Sequence, residues 1–301
     1  MKRIITLMMG LFVFSIVAIA QEPESEKESN WSVSGFFQQN LNQVSFTNWA
    51  AGGENSFSST SLARIDANYK SGRYSWENYA DLSYGIIKIK DTPMRKNTDK
   101  IEIFSKLGRE INQNFSYTGL MNFQSQFDKG FKFPNDSVVV SRFMAPAYLT
   151  IALGFDYKPF DFLSVFVSPT TGKFTFVTDE VLSAAGAFGV EPGKKVNPEF
   201  GALMRINFNK EVVQNVNVNS RITLFNNYTD SDASNRKNTD VDWVTTINMP
   251  INRFLTASVG FHLLYDHDIK IPKLDADGVP MYSRPTTQFK QQLGLGLMFK
   301  F

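Results

Sequence analysis

Apolar and polar side chains alternate one by one along most of this chain, most cleanly at its end. In residues 287–301 (TQFKQQLGLGLMFKF), Phe289, Leu293, Leu295, Leu297, Phe299 and Phe301 fall on one face. Gln288, Lys290, Gln292, Gly294, Gly296 and Lys300 fall on the other, with Met298 the one apolar intruder. A strand sends successive side chains to opposite faces, so this pattern predicts a β-strand with an apolar ribbon backed by a polar one. The period recurs upstream. Phe57, Ala63, Ile65, Ala67 and Tyr69 alternate with Ser58, Thr60, Arg64, Asp66, Asn68 and Lys70, and 115–128 and 216–228 repeat the scheme. Strands are predicted near 32–46, 57–70, 74–90, 99–110, 115–128, 149–158, 163–177, 199–210, 216–229, 240–250, 254–268 and 287–301, twelve in all.

The connections between them sort by parity. Those at 71–73, 111–114, 159–162, 211–215 and 251–253 are short; those at 47–56, 91–98, 129–148, 178–198, 230–239 and 269–286 are long, in strict alternation. Tight periplasmic turns and longer extracellular loops are the habit of outer-membrane barrels, whose strand number is even. Alternation alone does not separate such a barrel from a soluble sandwich, because one pattern serves both with the faces exchanged. Aromatic placement does. Tyr69, Tyr74, Trp76, Phe115, Tyr117, Phe155, Tyr157, Phe208, Phe299 and Phe301 crowd the short-turn ends, as in a girdle at the lipid headgroups. The predicted fold is all-β: a closed antiparallel transmembrane β-barrel of about twelve strands.

Composition adds an address. Lys2 and Arg3, the apolar run Ile4–Ile19 and the small-x-small pattern Ala18-Ile19-Ala20 read as a cleaved secretory signal peptide over 1–20. A charged periplasmic linker, 21–30 (QEPESEKESN), follows, and 31–301 forms the barrel. The signal carries two of the 31 basic residues and none of the 29 acidic ones, so the mature chain is formally neutral. Without a basic stripe, no nucleic-acid partner is expected. With no cysteine, disulfides and thiolate metal sites are excluded.

Candidate chemistry is sparse. His262 lies mid-strand on the polar face, and His267 stands in Asp266-His267-Asp268 at a loop edge; a structural reading outweighs an acid–base one for both. Asp275-Ala276-Asp277-Gly278 lacks the later acidic ligand of a calcium loop. Residues 168–173 (SPTTGK) lack the first glycine of a phosphate loop and read as a bend or bulge in the barrel wall. Neither an enzyme nor a cofactor or metal is expected. The inward charges Arg64, Asp66, Glu77, Asp81, Arg205, Arg221 and Lys290 are the most informative set. Buried charges need water or one another, which leaves two states open, a polar channel or a lumen laced shut by ion pairs and loops.

Residues 46–58 (FTNWAAGGENSFS) and 167–177 (VSPTTGKFTFV) resemble a family of outer-membrane proteins from Bacteroidota carried only as a domain of unknown function. The resemblance implies a barrel in the cell outer membrane and supplies no substrate, cofactor or catalytic residue. In the first motif, Gly52 and Gly53 permit positive φ, Asn55 can bond back to the backbone, and Trp49 would mark the upper membrane boundary. The expected role is a channel for small polar solutes. The alternative is a non-conducting barrel that anchors or assists a surface or secretion assembly through its long extracellular loops, and a lipid hydrolase is third. Outer-membrane lipids and the barrel-assembly machinery are the expected partners in each case, with a protein partner at the loops in the second.

Overall fold

The computed structural model describes residues 29–47, 53–133, 137–275 and 280–301. Trp31–Phe301 forms one compact unit. Its twelve wall strands are β1 (Trp31–Val44), β2 (Ser56–Ser71), β3 (Tyr74–Ile89), β4 (Arg95–Glu110), β5 (Phe115–Ser125), β6 (Ala147–Phe160), β7 (Leu163–Phe176), β8 (Val196–Val213), β9 (Val216–Asn227), β10 (Asp240–Pro250), β11 (Leu255–Tyr265) and β12 (Gln288–Lys300). Each pairs antiparallel with its neighbours in the chain, and β1 pairs with β12 to close the barrel. The strands start and stop within a few residues of their predicted bounds. Three features inside long loops are additional: small hairpins pairing 130–131 with 139–141 and 270–274 with 280–285, and a one-turn helix α1 (Glu180–Ala184). Residues 1–28, which hold the predicted signal peptide and most of the linker, lie outside the described residues, as do Trp49, Gly52 and all of the Asp275–Gly278 motif but Asp275.

The short turns have a local cause. Gly72 takes φ +55° in the β2–β3 turn, a region that costs glycine nothing. Asn112 Oδ1 accepts the N–H groups of Asn114 and Phe115, and Asn252 Oδ1 accepts those of Phe254 and Leu255, all within 3.0 Å. A side chain that satisfies two backbone donors holds a tight turn without further residues.

The apolar face points outward. Phe289, Leu293 and Leu153 are each more than 60% exposed. Aromatic rings at the short-turn end form contacts from strand to strand: Trp31 with Tyr69 (5.2 Å) and Trp76 (5.6 Å), Phe115 with Tyr157 (4.6 Å), Tyr117 with Phe155 (5.2 Å), Phe254 with Phe299 (5.8 Å). Twelve closed antiparallel strands with an apolar outer band and a ring girdle are the architecture of an outer-membrane β-barrel, in which closure satisfies the backbone where no water can. Phe299 and Phe301 both lie on this outer face. Gly35 makes room for the last residue: a Cβ there would stand 2.7 Å from the Phe301 ring, and the two residues exchange backbone hydrogen bonds of 2.9 and 3.1 Å.

The 168–173 motif is a bulge. The β6–β7 register slips between Leu153 and Phe155, and the β7–β8 register between Gly201 and Leu203. Ser168 and Thr170 hydroxyls both donate to the Leu153 carbonyl, at 2.8 and 3.0 Å.

Candidate functional site

The barrel interior is bridged at mid-height. Glu102 on β4 is fully buried and pairs with Arg221 on β9 at 2.7 Å and with Lys100 at 2.6 Å. The Tyr79 hydroxyl on β3 donates to Glu102 at 3.0 Å and accepts from Arg221 at 2.8 Å. In barrel order β3 and β9 are diametrically opposed, so these bonds cross the whole lumen. A round twelve-stranded barrel, with strands about 4.8 Å apart and tilted about 40°, measures about 24 Å between opposite backbones. An arginine and a glutamate meeting end to end span only about 15 Å between α-carbons. The wall is therefore drawn in along the β3/β4–β9 axis, and the interior divides in two.

One side, from β4 through β9, is dry. Phe104, Leu120, Ala152, Phe166, Leu203 and Phe225, one from each consecutive strand, form a single buried cluster with Tyr79 against it. Full burial contributes about 1.5–3 kcal/mol per large apolar side chain, so this half of the lumen is a packed core. Arg205 lies over the Phe104 ring at 4.8 Å, and its Nη1, like Nε of Arg221, has no hydrogen-bond partner among the described residues. The other side, lined by β10–β12 and β1–β3, is polar and half-exposed. There Arg64 pairs with Asp66 at 2.7 Å and lies over the Tyr79 ring, and His262 meets Asp242 at 2.9 Å.

Further ion pairs stitch the dry side above and below the bridge. Towards the short turns, Lys106 holds Asp156 (2.9 Å) and Glu77 (3.0 Å), while Lys158 pairs with Glu77. Towards the long loops, Lys173 from the bulge motif meets Asp240 (3.0 Å), Glu199 (3.3 Å) and Asp266 (3.5 Å).

The loops at 126–146 and 177–195 pack on each other over β6 and β7. Ala145, Val177, Leu182 and Val190 form a second buried cluster flanked by Phe188. Thr178 N–H donates to the Met144 carbonyl at 3.0 Å, and Arg142 pairs with Asp179 at 2.9 Å. Asp179 also caps α1, accepting from Val181 and Leu182. The Arg142 hydrogen bond and these backbone donors hold its carboxyl below the usual carboxylate range. A depressed folded value means that the cap is at full strength above the ordinary carboxylate pKa, about 3.9, and is lost as pH falls through the lower folded value. Asp179→Ala is expected to weaken the loop by about 1 kcal/mol. Amide exchange across 178–195 should rise at neutral pH in the variant, whereas the parent loses protection only in strong acid.

All seven charges singled out from the sequence stand on strands whose register turns them to the interior, but they do not form one site. Arg64, Asp66 and Asp81 belong to the polar side, with Asp81 paired to Lys100 at 3.2 Å. Glu77 joins the lower network, Arg221 and Arg205 the bridge, and Lys290 makes no ion pair or hydrogen bond among the described residues. Glu102, Lys106, Asp156 and Lys173 went unselected. Lys100, Glu102 and Lys106 share one parity with Ile101, Ile103 and Leu107 on the other, so their inward direction was readable; their pairing across the lumen was not. In the first long loop, Gly53 takes φ +134° against the Phe46 ring, and Asn55 Oδ1 accepts the Phe46 N–H at 2.7 Å. That is the hairpin role. Neither histidine is hydrogen-bonded to a serine or threonine hydroxyl among the described residues: His267 meets Tyr265 and Asn235.

Residues 41–131 match the model of a family described as a protein of unknown function (DUF3078). The matched stretch runs from late β1 to the loop after β5. It contains Glu102, Tyr79 and the 46–58 motif, and excludes the bulge motif. No curated protein matches. Among solved structures, the translocator domain of the autotransporter NalP from Neisseria meningitidis aligns at 8% identity over 98% of this chain and 96% of that one, with a TM-score of 0.39. An outer-membrane channel from Pseudomonas putida F1 aligns at 10% identity over 93% of this chain and all of the other, with a TM-score of 0.40.

Proposed function

We propose that this protein is an integral barrel of the cell outer membrane that works without a standing open pore, anchoring or assisting an assembly at the surface through its packed long loops. The bridge from Tyr79 and Glu102 to Arg221 carries this reading. It spends the lumen on a hydrogen-bonded partition and a dry core, which a general diffusion pore has no use for. The two long loops, which share an apolar core, offer a firm outer surface, and long loops with their own structure tend to be functional. The reading involves no catalytic step, cofactor or metal.

A second reading, a channel for small polar solutes, has its own support in the half-exposed side lined by β10–β12 and β1–β3, where the Asp66 and His262 side chains are 27% and 42% exposed. Planar-bilayer recording separates the two, with a heat-modifiability gel to verify the folded barrel. Silence from a verified barrel is the expected result. Discrete conductance steps that change with Arg64→Ala would overturn it in favour of the channel.

A further inference from the structure

β12 parts from β1 less than half-way along its length. It pairs with β11 over Leu297–Gln288, but with β1 only where Gly296–Lys300 meet Asn40–Phe36. The same register, continued, would set Leu41, Asn42, Gln43 and Val44 opposite Leu295, Gly294, Leu293 and Gln292, and none of these pairs forms. Instead β12 leans inward, and Gln292 Nε2 donates to Thr98 Oγ1 on β4 at 3.2 Å, although β1, β2 and β3 stand between the two strands in the wall. A slit therefore separates the loop-side ends of β1 and β12.

Its two lips differ in chemistry. Leu41, Leu293 and Leu295, on the outer face, are all more than half exposed. On the inner face Lys290 and Gln292 are exposed, and Lys290, across from His262 in the register, has no ion pair or hydrogen bond among the described residues. In a bilayer, unpaired backbone N–H groups require a partner, and an exposed ammonium at the inner lip with no ion pair among the described residues is open to an anion. A strand from another chain would satisfy the backbone edge and leave Lys290 uncompensated. A molecule with acyl chains against the leucines and an anionic head at the inner lip satisfies both.

We propose that the slit between β1 and β12 is a lateral binding site for an anionic phospholipid, whose phosphate sits on Lys290 and the free N–H groups of the strand edges while its chains stay in the bilayer. The site rests on the barrel standing in a membrane, and not on whether its lumen conducts.

The test is native mass spectrometry of the barrel released from nanodiscs of phosphatidylethanolamine containing or lacking phosphatidylglycerol. Lys290→Gln, Lys290→Arg and, as a control on the zipped half of the same strand, Lys300→Gln are measured beside the parent, each verified as folded by its heat-modifiable migration. The parent, Lys290→Arg and Lys300→Gln should retain phosphatidylglycerol. Lys290→Gln should lose about tenfold in occupancy, the worth of one charge-assisted hydrogen bond. Equal retention by all four proteins would mean annular lipid only and overturn the proposal. So would a parent that retains no lipid, or one that appears as a dimer in its place.

Discussion

Glu102→Gln is expected to destabilise the barrel by about 3–5 kcal/mol, the range for removing one partner of a buried charge cluster. Glu102 is the anion for Arg221, Lys100 and, at 4.0 Å, Arg205. Glutamine keeps the shape and a hydrogen-bonding oxygen but leaves Arg221 and Arg205 without their anion on the rim of a dry core, and Lys100 with Asp81 alone. The penalty is thus mostly that of stranded positive charge, and little of it is lost packing. It should appear as a lower temperature for loss of compact migration on gels and a lower urea midpoint in detergent. Adding Arg221→Met, which removes one stranded cation and extends the apolar cluster, should recover about half of the loss, because contacting residues couple strongly. An unchanged midpoint for Glu102→Gln would show that water reaches the bridge.

Gly154→Ala should approach the upper end of the about 1–3 kcal/mol usual for overpacking. A Cβ on Gly154 would lie 2.0 Å from the Val167 carbonyl oxygen and 2.8 Å from the Ser168 α-carbon. Both are backbone atoms, at the point where the β6–β7 register slips and Ser168 and Thr170 are stitched to Leu153. No rotamer change relieves such a clash; the bulge itself must move, and it aims Lys173 at Asp240 and Asp266. Gly260→Ala is the matched control, since its Cβ would meet nothing nearer than 3.9 Å. Its stability should stay within about 0.5 kcal/mol of the parent. The yield of heat-modifiable barrel after refolding reads both variants.

The wall of this protein was legible in its sequence and the interior was not. Strand alternation is a local property: Phe289 and Lys290 declare opposite faces without reference to anything else. Loop lengths and the girdle residues from Tyr69 to Phe301 then decide which face meets lipid, so twelve strands, their order and their orientation follow from neighbours in the chain. The lumen depends on what lies across from what. Phe104 and Phe225 share the parity of Glu102 and Arg221 on their strands, so their inward direction is readable, but no periodicity shows that they meet in one dry core rather than line a wet channel. The contact of Glu102 with Arg221 joins residues 119 apart and exists only because the closed wall is drawn in along one axis. The slit is likewise invisible in the regular alternation of 287–301: every residue there keeps its face, and only the tertiary structure, in which Gln292 reaches Thr98 on β4, shows where β12 parts from β1. Side-chain direction is set by the backbone two residues at a time, whereas partnership across a barrel is set by the shape of the whole.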